Sequence, residues 1–286
     1  MIFLSTSFYG LNNTKFSEAI DLIISEDFDI DGVELSSNHT FEENYKSVLN
    51  KINSKKIINH NYFPPRKDLT NFVVNIASES KKIRNESILF IKKSIDFCSE
   101  NNIELYTIHP GFKSDPKPDI RENNNYDFTY SEIKTGHKIA FSHFLDSFAK
   151  ILDYSNKKNI KICIETMGSR TSSDNLILQI PSEYDEFLEN FNNENIYFNL
   201  NLAHSYLSSK ENSFDLMKFI EKINKNIILV ELSDNDGFYD QHLPISKNSY
   251  IFDYFRFIKD KNLILELRNT SCNDVHASLD ILRSSL

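Results

Sequence analysis

Seven short apolar runs in this chain end in side chains able to bind metal or move protons. They are residues 32–39 (GVELSSNH), a run ending at His60, one ending at His109, one ending at Glu165, one ending at Asn201 with His204 three residues on, residues 226–236 carrying Glu231, and one ending at Glu266. If the runs are parallel strands of an α/β protein, their carboxyl ends open onto one face and these residues converge there. Such a cluster of Glu, His and Asp would support metal-assisted chemistry or general acid–base proton transfer.

Glu165 and Glu266 are the strongest pair. Each is a lone carboxylate closing an apolar strand, Ile162-Cys163-Ile164 before one and Leu263-Ile264-Leu265 before the other. A carboxylate buried there is costly unless a cation or a metal meets it. The plain alternative is a salt bridge to a nearby arginine, Arg170 or Arg268. His109 precedes Pro110-Gly111, a turn that stops the strand and leaves the imidazole at its mouth, and His60 holds the same place one strand earlier. Asp240-Gln-His242 puts two donors on one side of an extended segment, which suits a shared metal or phosphate contact; its alternative is a polar loop. Glu231 ends its strand just before Ser233-Asp234-Asn235-Asp236. His39 is expected at the pocket rim, and His137, His143 and His276 lie in helical patterns as surface or packing residues.

The elements that must position these groups follow from periodicity. Strands are expected near 2–6, 31–36, 56–61, 103–109, 160–166, 195–201, 227–233 and 262–267. Helices are expected near 14–25, 42–52, 79–100, 131–157, 181–191, 213–223, 248–259 and 273–284. Eight strand–helix units in succession predict a single-domain (βα)8 TIM barrel spanning residues 1–286. A doubly wound sheet would normally carry a glycine-rich turn after its first strand, and the chain has only 6 Gly in all. The long connections 62–78, 110–130 and 167–180 fall on the face where barrels hold substrate.

Composition narrows the function classes. The net charge of −9 argues against general affinity for nucleic acid or anionic membrane. No apolar stretch approaches the roughly 20 residues that span a bilayer, and no leader is evident, so a cytoplasmic protein is expected. Three cysteines, Cys98, Cys163 and Cys272, sit in apolar periodic segments and read as buried free thiols. P-loop, GxGxxG, GxSxG and CxxC signatures do not occur.

Taken in order, several motifs resemble the xylose isomerase-like TIM barrels, a superfamily of sugar isomerases and epimerases and of endonuclease IV-type AP endonucleases. The motifs are Asn59-His60-Asn61-Tyr62 with Asn75-Ile-Ala-Ser78, Ile108-His-Pro-Gly111, Ile164-Glu-Thr166 and Asn201-Leu-Ala-His204. They continue in Leu232-Ser-Asp-Asn-Asp-Gly237, Asp240-Gln-His-Leu-Pro244 and Leu265-Glu-Leu267. The resemblance covers essentially the whole chain. It implies that Glu165 and Glu266 bind a divalent metal and, in the epimerase branch, form the acid/base pair. It also places Asn201 where the family has Asp, and Glu231 where the family has His. The implied ligand set Glu165, Asn201, Glu231 and Glu266 is oxygen-only, and favours Mn²⁺ or Mg²⁺ over Zn²⁺. His60, His109, Asp240, His242 and Arg268 would bind substrate or a second metal.

Three functions follow as expectations. The first is a sugar or sugar-like isomerase/epimerase working through an enediolate, with Glu165 and Glu266 exchanging protons and His204 on a substrate oxygen. Its partner is a small carbohydrate-like molecule, and self-association is implied by the resemblance. The second is an AP endonuclease-type phosphodiesterase, supported by the histidines but opposed by the charge and by Asn201 and Glu231. The third is a barrel that has lost part of its metal site and is non-catalytic.

Overall fold

Apolar runs of four to six residues, with polar side chains at or next to their carboxyl ends, form the wall of a closed parallel cylinder. The computed structural model describes residues 1–10, 14–67, 73–117, 128–191 and 195–286. In chain order the first half runs β1 (Ile2–Ser5), α1 (Phe16–Glu26), β2 (Gly32–Leu35), α2 (Tyr45–Asn50), β3 (Lys56–His60), α3 (Lys81–Glu100) and β4 (Leu105–Ile108). A short antiparallel hairpin, β5 (Pro116–Lys117) and β6 (Thr129–Tyr130), precedes α4 (His137–Lys157) and β7 (Lys161–Glu165). The second half runs α5 (Pro181–Asn190), β8 (Tyr197–Asn201), α6 (Leu202–Asn212), α7 (Leu216–Ile223), β9 (Ile227–Leu232), α8 (Ile251–Ile258), β10 (Asn262–Leu265) and α9 (Cys272–Ser285).

The barrel order is β1-β10-β9-β8-β7-β4-β3-β2, closed by the β1–β2 pair, and every pairing is parallel. The predicted (βα)8 barrel is therefore the observed fold, and each of the eight expected strands is present. The helices form an outer ring whose apolar stripes pack on the wall. In α3, Ile88, Phe90, Ile91, Ile95 and Cys98 are buried, and the Ser80 side chain caps the first turn by accepting from Ile83 N. In α8 the buried face is Ile251, Phe255 and Ile258. No described helix is long and apolar enough to cross a membrane.

Side chains alternate across each strand, so the barrel interior is built in layers two residues apart. Phe3, Ile58, Cys163, Leu229 and Ile264 form a separate apolar cluster, the floor. Two residues further along the same strands stand Ser5, His60, Glu165, Glu231 and Glu266, all buried. The floor closes the lower barrel with hydrocarbon and leaves the polar layer to face the mouth at the carboxyl ends.

Three local features differ from expectation. Helix α6 starts directly after β8 with no intervening loop; its serine-rich sequence lacks a clean apolar stripe, and Asn201 serves as both strand end and helix cap. The connection 110–130 contains the β5–β6 hairpin, and residues 118–127 of it lie outside the described residues, as do 68–72 of the 62–78 connection. Helix α4 begins at His137 instead of near 131, because the preceding segment is tied back as a loop by Thr135 N donating to Lys113 O.

Candidate active site

Glu165 is the meeting point of the mouth. Its Oε2 lies 3.0 Å from His60 Nε2 and 2.9 Å from His109 Nε2, and its Oε1 lies 3.1 Å from His204 Nδ1 and 3.1 Å from Asn201 Nδ2. His109 is turned in by the Pro110-Gly111 stop. Gly111 has φ +102°, and a Cβ there would sit 2.7 Å from Asn75 Oδ1, so only glycine fits. His60 also lies 3.1 Å from the Ser37 hydroxyl through Nδ1, leaving Nε2 to face the carboxylates. Arg170 is not the partner of Glu165. It donates to Gly237 O, stacks over Phe238 and pairs with Glu211.

A second cluster forms beside the first. Asp240 Oδ2 is 3.4 Å from His204 Nε2 and 3.3 Å from His242 Nε2. The other nitrogens of both rings face acceptors: His204 Nδ1 is 3.2 Å from Thr166 O, and His242 Nδ1 is 3.2 Å from Glu266 O. Asp240 and His242 are brought together as their spacing predicts, but not by an extended segment. His242 has a left-handed backbone, φ +50°, in the loop after β9, and that turn brings its ring back to Asp240. Close approach of α6 places His204: a Cβ on Gly168 would lie 1.8 Å from His204 O.

Between the clusters, Asn201 Nδ2 lies 2.8 Å from Glu231 Oε2, 3.1 Å from Glu165 Oε1 and 3.3 Å from Glu266 Oε2. Its Oδ1 accepts from His204 N at 3.1 Å, capping α6. Asn199, one inward position earlier on β8, donates to Glu231 Oε1 at 2.5 Å. The β8–β9 register shifts at Phe198/Asn199, next to the two amides that meet Glu231. Arg268 Nη2 approaches Glu266 Oε1 only to 3.9 Å.

The electrostatics follow from burial and neighbours. Burial alone would push the Glu165 carboxyl up, but His109, His204 and His60 hold it well below the usual carboxylate range. Burial likewise opposes the Asp240 anion, and His242 and His204 overcome it. Burial disfavours the His60 imidazolium, yet Glu34 and Glu165 raise it to about 9. Burial and the neighbouring Glu165, Glu266 and Glu34 drive the Glu231 carboxyl well above its ordinary value.

Glu34 is a residue of this site that the sequence reading passed over. It points into the barrel from β2, is fully buried, and neither carboxylate oxygen has a hydrogen-bond partner. Burial raises it to about 7; His60 favours its anion, and Glu266 and Glu165 oppose it. The available signal was its place in the second apolar run, Gly32-Val-Glu34-Leu, at the same inward register as the other strand-end acids. His39, by contrast, is not at the rim. It is buried with Nε2 2.8 Å from the Thr6 hydroxyl and Nδ1 3.2 Å from that of Thr14, and burial pushes it down to about 4.

The donor geometry can be set against the needs of a divalent ion. His60, His109 and Glu165 form one group, and His204, Asp240 and His242 another, with ligand atoms in each within 4.8 Å of one another. Ligands bound at about 2.0–2.1 Å in a tetrahedron stand roughly 3.4 Å apart, the spacing of Asp240 from each imidazole of the second group. Its two Nδ1 atoms face acceptors, the arrangement that directs Nε2 lone pairs to a metal. Both groups fit. The oxygen-only set expected from the sequence is brought together, but Asn201 turns N–H donors, not an oxygen, toward Glu165, Glu231 and Glu266.

Comparison with known proteins agrees with this architecture. An uncharacterized protein of Methanocaldococcus jannaschii, MJ1614, is 25% identical over 216 residues, covering 74% of each chain. A D-tagatose 3-epimerase-like protein superposes with TM-score 0.72 at 19% identity, covering 99% of this chain and 96% of its own. The TTHB071 protein of Thermus thermophilus, soaked with ZnCl2, superposes with TM-score 0.61 at 14% identity, covering 99% and 96%. A family model described as xylose isomerase-like TIM barrel matches residues 22–285. This chain therefore belongs to the xylose isomerase-like TIM barrel family.

Proposed function

We propose that this protein is a divalent-metal-dependent isomerase or epimerase of a small carbohydrate-like molecule. The observation that carries this reading is the convergence of Glu165 and Glu266, from strands on different sides of the barrel, on the same atom, Asn201 Nδ2, at 3.1 and 3.3 Å. Two carboxylates within reach of one substrate carbon can remove a proton on one face and return it on the other. The fold shared with a D-tagatose 3-epimerase-like protein supports the same class. Ions held by His60, His109 and Glu165 and by His204, Asp240 and His242 would polarise adjacent substrate oxygens and stabilise enediolate charge.

The chain's own residues supply the rest. Glu165, kept ionised by its three imidazoles, is the resting base. Glu266 keeps Oε1 outside the Asn201 contact, available to a substrate carbon. The buried mouth excludes water from a carbanion-like intermediate. The test is solvent deuterium incorporation, followed by NMR, into a panel of ketoses and aldoses with Mn²⁺-, Co²⁺- or Zn²⁺-loaded protein. Exchange that vanishes in Glu266→Gln supports the reading, and no exchange across the panel overturns it.

A second reading, phosphodiester hydrolysis, is favoured by one observation. Two groups that each combine a carboxylate with two imidazoles share one mouth, as two-metal displacement requires. The net charge of −9 weighs against a polyanionic substrate. Cleavage of abasic-site DNA by the zinc-loaded protein decides it.

A further inference from the structure

We infer that Asn201 closes the Glu165–Glu231–Glu266 cage with its amide, so that this cage takes no cation and a single change, Asn201→Asp, would open a new metal site there.

Donors and acceptors can be counted at this one side chain. Asn201 ends β8 and caps α6, so the His204 N–H requires an acceptor from it, and Oδ1 provides that at 3.1 Å. An asparagine has one acceptor atom and one donor atom. Once Oδ1 caps the helix, only Nδ2 is left to face the barrel. Three carboxylate oxygens stand 2.8, 3.1 and 3.3 Å from it. Turning the amide over would aim Oδ1 at three carboxylates and Nδ2 at the His204 N–H, setting acceptor against acceptors and donor against donor. An aspartate meets both demands, with one oxygen for the cap and one for a cation.

Neighbouring residues fit the same pattern. Glu231 has both oxygens covered by amides of β8, Asn199 on Oε1 at 2.5 Å and Asn201 on Oε2 at 2.8 Å. Glu266 Oε2 is met by His242 Nδ1 at 3.3 Å, and Glu165 Oε1 by Asn201 Nδ2 and His204 Nδ1, each at 3.1 Å. The three carboxylate oxygens that face Asn201 are therefore each held by hydrogen bonds, and the two histidine-bearing groups keep their metal-directed nitrogens. That last point alone rests on the reading proposed above.

The test is a metal count by elemental mass spectrometry on Mn²⁺-saturated, desalted protein, wild type against N201D, with thermal melts of metal-free and Mn²⁺-loaded samples. N201D is expected to hold one more ion per chain than wild type. Its metal-free form should melt lower, because an amide donor becomes a fourth carboxylate, and Mn²⁺ should raise its melting temperature by about 5 °C or more beyond the rise in wild type. Equal counts in the two proteins overturn the inference. If N201D folds poorly, E231H and N201D/E231H serve instead: the extra ion should appear in the double variant only, and its appearance in E231H alone, or in neither, also overturns the inference. The readout is a difference in stoichiometry, so a wild type inactive on every sugar would sink the proposed reaction and leave this inference standing.

Discussion

Glu165 and Glu266 are linked through one amide nitrogen, Asn201 Nδ2, which lies 3.1 Å from an oxygen of the first and 3.3 Å from an oxygen of the second. The two carboxylates differ in what else they hold. Glu165 is ringed by His60, His109 and His204, whereas Glu266 meets His242 and, at longer range, Arg268. Substitution should therefore separate their roles. Glu266→Gln is expected to lower proton exchange by roughly 10²–10⁴-fold with its histidine-group metal content unchanged. Glu165→Gln should lose exchange and about one ion together. Isotope exchange and elemental analysis of the same samples check both.

Metal should also separate by group. His109→Ala removes a donor from the first and Asp240→Asn weakens the second. Each is expected to reduce the count by one ion per chain, with the double variant losing both. Chelation of the wild type should lower its melting temperature, since an ion bound only to the native state stabilises it by mass action. A chelator-insensitive melt with no bound metal would contradict the assignment of both groups.

The pH dependence of the metal-free protein has a definite sign. The His60 pKa of about 9 is raised above its ordinary 6.5, so its stabilising contribution is complete below about 6.5 and is lost as pH climbs through about 9. Glu34, raised to about 7, disfavours the folded state once ionised, so its contribution is also lost as pH rises from 4.5 through 7. Metal-free protein should accordingly melt lower at pH 9.5 than at pH 6. Glu34→Gln removes a carboxylate whose ionisation burial opposes. It should raise the melting temperature at pH 8, by an amount on the order of a few degrees, and leave it nearly unchanged at pH 4.5. Calorimetry across these pH values tests both signs.

Gly168 supports the site by absence of a side chain. A methyl group there would meet His204 O at 1.8 Å and Ser208 Cβ at 2.8 Å, so α6 would have to move and take His204 with it. Gly168→Ala is expected to destabilise by about 3 kcal/mol, lowering the melting temperature by roughly 6–12 °C, and to weaken the His204–Asp240–His242 metal group. An unchanged melt would mean that the loop after β7 accommodates the methyl by shifting.

Much of the fold and of the strand-end site is legible in the sequence. The strands that carry His60, Glu165, Asn201, Glu231 and Glu266 at or beside their carboxyl ends are marked by short apolar runs, because a strand buried on both faces must be apolar until it reaches the mouth. Helix α6 was not legible: its buried face is Leu202, Ala203, His204, Ser205, Leu207, Ser208 and Ser209, a mixture with no simple stripe. Glu34 sat in plain view, but one glutamate inside a four-residue strand looks like a surface charge until barrel closure turns it inward.

The sequence by itself determined the eightfold strand–helix alternation and which polar residues stand at the strand ends, since both are encoded in local periodicity. Only the tertiary structure decided which atoms meet. The left-handed turn at His242, the double duty of Asn201 as cap and donor, and the burial of Glu34 without a hydrogen-bond partner depend on strand register and on closure of the barrel. Those are set by packing among residues tens to hundreds of positions apart, and no local pattern carries that information.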